Sequence, residues 1–257
     1  MEHSNDEFDK GQDLVRPLQE EGNHSRPDPN VDARNLLMSR WYRSMQIPLP
    51  EVACLVNNAT SQQVSEKNVE PQISIKEHIQ ASALLLDKIT EIHHELAHID
   101  SRLNQCRIKR VPRRYRLKQT RQKQLLKEQD LRGMVHEWMD LQPFTFFSLR
   151  IENGDVLMTN NDVELEYNWG VALMEEDAHK LGVQLNDRIE VLPAVRCMSS
   201  VIRLRHHNDF SYSSFSFMID EMKRQGLEIK DNITGRILMD DYEGGALGSY
   251  LEVNIPI

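Results

Sequence analysis

Cysteine is scarce in this chain of 257 residues. Cys54, Cys106 and Cys197 lie far apart and form no CxxC pair, which excludes a disulfide framework and a thiolate zinc site and suits a reducing compartment. Long apolar runs are missing too: no stretch approaches the roughly 18 residues of a membrane span. The opening Met-Glu-His-Ser-Asn-Asp-Glu has neither the basic nor the apolar part of a secretion signal. A cytoplasmic location is the expectation. Positive charge is in deficit, with 31 Lys and Arg against 40 Asp and Glu and a net charge of -9. That argues against a protein coating nucleic acid indiscriminately, while leaving room for a local basic face. No GxGxxG or GxxxxGK[ST] loop is present, and the glycines of DYEGGALG fall in a turn between expected strands, with no helix behind them to hold a phosphate. No GxSxG announces a serine nucleophile.

What remains is a globular composition with a clear order. Residues 1–33 are polar, acidic and interrupted by Pro17, Pro27 and Pro29, and read as a disordered tail. In DARNLLMSRWYRSM the apolar Leu36, Leu37, Trp41 and Met45 recur at helical spacing. IPLPEVACLV begins a second short helix with Pro50 in its first turn, and residues 57–72 read as a polar connector. The strongest periodicity follows. Ile89, Leu96 and Leu103 take heptad position a, and Leu85, Ile92, Ile99 and Cys106 position d. A seam this narrow predicts a helix pairing with one partner, hence a homodimer through residues 75–106; the alternative is a helix lying on its own domain. RIKRVPRRYRLKQTRQK then places nine cations in a short run. It reads as a solvated edge strand guarded by charge, and phosphate contact is the rival reading. Beyond it the pattern is α+β. LLKEQDLRGMVHEWMDL and NDFSYSSFSFMIDEMKRQG read as helices, the second stopped by Gly226. FTFFSLRI, VELEYNWGVALM, RIEVLPAVRCMSSVIRLRH, ITGRILMDD and YLEVNIPI read as strands of an antiparallel sheet with helices on one face.

His94-Glu95-Leu96-Ala97-His98 matches HExxH, the zinc-peptidase pattern. With Leu96 at position a, the two histidines fall at f and c on the outer face, away from any walled cleft, so neither metal nor cofactor is expected. The last domain is richer in hints. Trp138, Phe147, Tyr167, Trp169, Tyr212 and Tyr250, with Glu166 and Glu252, could line a pocket for a flat hydrophobic molecule, although each ring alone is as readily plain core. A carboxylate such as Glu252 among apolar neighbours is expected to titrate high, because burial disfavours its charged form.

The order of these parts resembles the MerR family of regulators, in particular the branch with a C-terminal GyrI-like effector domain. LLMSRWYRSMQIPLPEVACLV is similar to the helix pair after that family's wing, the heptad helix to its antiparallel dimerisation stem, and YLEVNIPI, with Glu252, to the closing strand of the effector domain. The resemblance implies a remnant of the DNA-binding region at 34–72, a coiled-coil helix at 73–108 and a GyrI-like domain at 109–257. It implies a ligand-responsive, dimeric transcription regulator that is not an enzyme, with Arg26, Arg34, Arg40 and Arg43 toward DNA. The family's recognition-helix pattern has no match here, which weighs against autonomous DNA binding and admits a complete family member as partner. Thr234 stands near the position where some drug-sensing members carry a buried acid. Two rivals come with the resemblance: a hydrolase of cyclopropane-bearing toxins and a protein-binding inhibitor module.

Overall fold

The computed structural model describes residues 29–122, 124–127, 129–152, 157–158, 165–204, 212–243 and 246–257. The chain divides into two compact units between Leu84 and Leu85. It is a mixed helix and sheet protein, and no helix among the described residues is long and apolar enough to cross a membrane.

The first unit is helical. α1 (Pro29–Ser44) and α2 (Leu49–Asn58) pack around Tyr42, Ile47, Val52 and Leu55. Of the expected stripe only Met45, just past the end of α1, turns inward; it is joined by Met38 and Tyr42, while Leu36, Leu37 and Trp41 stay exposed. Periodicity is satisfied by either set, and the contact with α2 selects between them. The expected connector is also helical. α3 (Ser61–Lys67) is started by a capping box in which the Thr60 hydroxyl accepts from the Gln63 amide while the Gln63 side chain accepts from the Thr60 amide. α4 (Val69–Ala97) then runs from this unit into the next.

The second unit holds an eight-stranded antiparallel sheet in the order β1-β8-β10-β9-β5-β6-β2-β7. The strands are β1 (Arg107–Val111), β2 (Arg114–Lys118), β5 (Thr145–Ile151), β6 (Tyr167–Met174), β7 (Glu190–Leu192), β8 (Val195–Leu204), β9 (Ile233–Glu243) and β10 (Ala246–Pro256); β3 (Thr120–Arg121) and β4 (Gln124–Leu125) form a separate small ladder. Alternation assigns the faces. Leu251, Val253 and Ile255 of β10, with Leu149 and Ile151 of β5, join Phe215, Met218, Ile219 and Met222 from α8 (Tyr212–Arg224) in the main core. Those four recur at i, i+3, i+4 and i+7, the stripe a helix needs to cover a sheet. Gly226 ends the helix at φ 66°, a left-handed geometry suited to glycine. α6 (Gln129–Asp140) covers the neighbouring strands through Trp138, which packs with Tyr115, Leu117, Val171 and Leu173.

The opposite face is curled. β1 is an edge strand, whereas β2 sits six strands away in the sheet order. A flat sheet would separate them by roughly 29 Å at ~4.8 Å per strand. Yet only Pro112 and Arg113 lie between the end of β1 and the start of β2, a link that spans at most about 11 Å. The sheet must therefore bend until its two ends approach, and the face inside the bend becomes a concave polar surface.

Candidate functional site

That concave face carries the charges the sequence dispersed. β2 is an interior strand, not a solvated edge: Arg114 and Arg116 are 6% and 0% exposed. The basic run is thus split, with β1 on the sheet edge and β2 inside. Arg116 Nη1 donates to Glu190 (2.8 Å), and its Nη2 donates to Asn168 Oδ1 (2.6 Å). Burial pulls the Arg116 guanidinium down, against the pull of Glu190. Ser199 Oγ donates to Asn254 Oδ1 (2.6 Å) across the β8–β10 pair. Arg114 reaches over the bend to donate to Thr234 Oγ1 on β9 (2.5 Å).

Glu252, on β10, is the centre of the densest cluster. Its carboxylate accepts from Lys109 Nζ (2.7 Å), from Arg236 Nε (3.0 Å) and from Arg102, with Arg107 at 3.6 Å. Glu95 of α4 accepts from Arg102 Nη1 (3.3 Å) and from Arg236. Burial by itself would push the Glu252 carboxyl up; Arg236, Lys109 and Arg102 outweigh it and hold the group down to about 2. The sequence expectation of a high-titrating carboxylate is therefore reversed. The residues that reverse it come from one turn of helix and two other strands, which no local pattern displays. Burial lowers the Lys109 ammonium, with Glu252 opposing.

Beside this cluster lies a cleft of about 310 Å³. Lys88, Ile92, Glu95 and Leu96 of α4 form one wall; Pro143, Phe144, Phe146, Phe147, Met174 and Ile237 form the other, and Arg236 closes the inner end. Arg236 lies 5.8 Å from the centre of the Phe146 ring, and Lys88 is anchored to Asp177 of the short helix α7 (Glu175–Lys180) (2.9 Å).

The heptad seam is divided by the same geometry. α4 stops at Ala97, and His98 leaves helical geometry at φ -108°, ψ 12°. Ile99 is buried on the single turn α5 (Ile99–Arg102), Leu103 bridges to Val201, and Cys106 packs against the main core. Ile92 and Leu96 line the cleft, whereas Leu85 and Ile89 are exposed. The HExxH residues part company as well. His94 and His98 are exposed, with ring centres 4.5 Å apart, while Glu95 turns inward to the arginines.

Of the residues expected to bind ligand, the cleft contains Phe147 alone; Glu252 adjoins it through their common neighbour Arg236. Trp138 is core beneath α6, Tyr167 is core, and Trp169 packs against the main core. Tyr250 lies under Arg203, 5.8 Å from its guanidinium carbon. Glu166 is exposed. Tyr212 opens α8, but its side chain lies outside the described residues, as does Arg26. Arg34, Arg40 and Arg43 are exposed on α1. Sequence reading missed Phe146, Leu96, Ile92 and Arg236 as cleft residues. The helix pair was visible, but as a dimer seam.

No family model matches the chain, and no curated protein does. Similar solved structures exist at low TM-score. EcmrR in its DNA complex is 13% identical, with 95% of this chain and 89% of that one covered and a TM-score of 0.35. The EcmrR C-terminal domain is 8% identical over 59% of this chain and 96% of its own, TM-score 0.35. A hydrolase from Listeria innocua is 11% identical over 63% and 97%, TM-score 0.37. The expectation of a non-enzymatic protein is corrected by the last of these, since a hydrolase stands among the similar structures.

Proposed function

We propose that the chain is a ligand-responsive transcription regulator of MerR type, whose second unit is a GyrI-like effector module for a small, largely apolar compound. The composition of the cleft carries this reading: Ile92, Glu95 and Leu96 come from α4, and Phe146, Phe147 and Ile237 come from the sheet. A compound seated there buries apolar surface of helix and sheet together, and so changes how firmly the helix is held. The same helix begins in the first unit, at Val69. Its exposed Ile75, Ile79, Leu85, Leu86 and Ile89 offer a seam to a second copy, or to a complete family member that adds base-edge reading. The exposed arginines of α1 suit phosphate contacts, the sequence-independent part of DNA binding.

A melting-temperature screen of small aromatic compounds tests the reading. Compounds that fit should raise the melting temperature of the wild type and leave Leu96→Arg unmoved, because a cation then stands in the cleft. Equal shifts in both proteins would place the seat elsewhere, and no shift in the wild type would overturn ligand binding.

A further inference from the structure

Among the described residues, the concave face holds a buried cation whose charge no carboxylate matches at bonding distance. Arg114 is 6% exposed, and the one hydrogen bond its guanidinium makes to the described residues goes to the neutral Thr234 hydroxyl. A guanidinium carries five donors, and a buried charge is tolerated only when paired. The nearby acids are already engaged: Glu252 accepts from Lys109, Arg236 and Arg102, and Glu95 accepts from Arg102 and Arg236. Arg114 is not itself part of the cleft wall but stands beside residues that are. It is the register neighbour of Met174, and Thr234 lies two residues before Arg236 on the same face of β9. Met174 and Arg236 both line the cleft.

We propose that the cleft takes an apolar, aromatic carboxylate, with its ring between Leu96 and Phe146 and its carboxylate on Arg114. This rests on the ligand-binding reading above and adds the charge of the ligand. A planar carboxylate matches the guanidinium fork, and the resulting pair is geometrically specific as well as charge-assisted. Burial has already drawn the Arg114 guanidinium down to about 10, with Arg236 adding to it and Cys197 and Glu252 opposing. An arriving anion relieves that cost, whereas a cation adds to it.

Two probes of the same ring system decide the matter: 2-naphthoate and 2-naphthylmethylammonium, titrated calorimetrically into the full chain at neutral pH. The expected result is naphthoate binding at least about tenfold tighter. Arg114→Gln should weaken naphthoate by about tenfold or more and leave the ammonium probe unchanged. Arg110→Gln, on the exposed edge strand β1, should change neither. Ammonium binding as tight as or tighter than naphthoate would overturn the proposal while leaving the ligand-binding reading in place. Binding of neither probe would count against both. Equal weakening by Arg110→Gln would reduce the effect to general charge and overturn the site. The wild-type comparison decides even if Arg114→Gln does not fold.

Discussion

Glu252 is a carboxylate buried to 4% exposure, and its charge survives because cations from three elements converge on it: Arg102 from α5, Lys109 from β1 and Arg236 from β9. Its folded value of about 2 lies below the ordinary 4.5. A depressed acid contributes stability that is fully present above its unfolded value and is lost as pH falls from there through the folded one. The window for this group is therefore from about pH 4.5 down to about pH 2, and the contribution at neutral pH is on the order of 3 kcal/mol. Glu252→Gln leaves three cations facing a neutral amide and should cost about 3–5 kcal/mol in urea unfolding at neutral pH. Its stability should also change less than that of the wild type between pH 4.5 and 2. Equal wild-type stability at both ends of that window would mean the cluster is solvated and not buried.

At the scale of the element, α4 shows how one periodic pattern can serve two surfaces. The heptad positions are all apolar, yet Ile92 and Leu96 face the cleft of their own unit while Leu85 and Ile89 face outward. A dimer seam, if built on this helix, is therefore confined to its earlier turns. Leu85→Asp with Ile89→Asp should halve the mass seen in sedimentation, since each buried side chain is worth about 1.5–3 kcal/mol to an interface. Ile92→Asp should instead lower ligand affinity without changing mass. Dimers that persist in the first variant would remove α4 as the interface. The helical existence of this segment was legible because period 3.6 needs no tertiary information. Its end was not: the chain leaves the helix at His98 and soon bridges at Leu103 to Val201, a partner far along the chain that no local pattern displays. The same holds for β2: an alternation of arginine with Tyr115 and Leu117 reads as a solvated edge, and only the strands on either side of it turn those arginines inward.

For the whole molecule the decisive feature is the curl of the sheet. The strands and the two covering helices follow from alternation and from the Phe215, Met218, Ile219 and Met222 stripe, and both were readable in the sequence. Strand order was not, since the short link of Pro112 and Arg113 joins one edge strand to a strand six places away, next to the other edge. That closure brings Arg114 to Thr234 and places Arg236 at the end of a cleft. It also explains why the aromatic residues named from sequence scattered: Trp138, Tyr167 and Trp169 went to the helix-covered face, where large apolar side chains gain most from burial. The central claim is that a small molecule sits between α4 and the sheet. Hydrogen exchange with and without saturating 2-naphthoate tests it directly, because a seated ring shields and steadies the backbone it touches. The account predicts slowed exchange concentrated at residues 88–97 of α4 and at 144–147, around the start of β5. Protection confined to α8 or to α1, or exchange unchanged throughout, would contradict it.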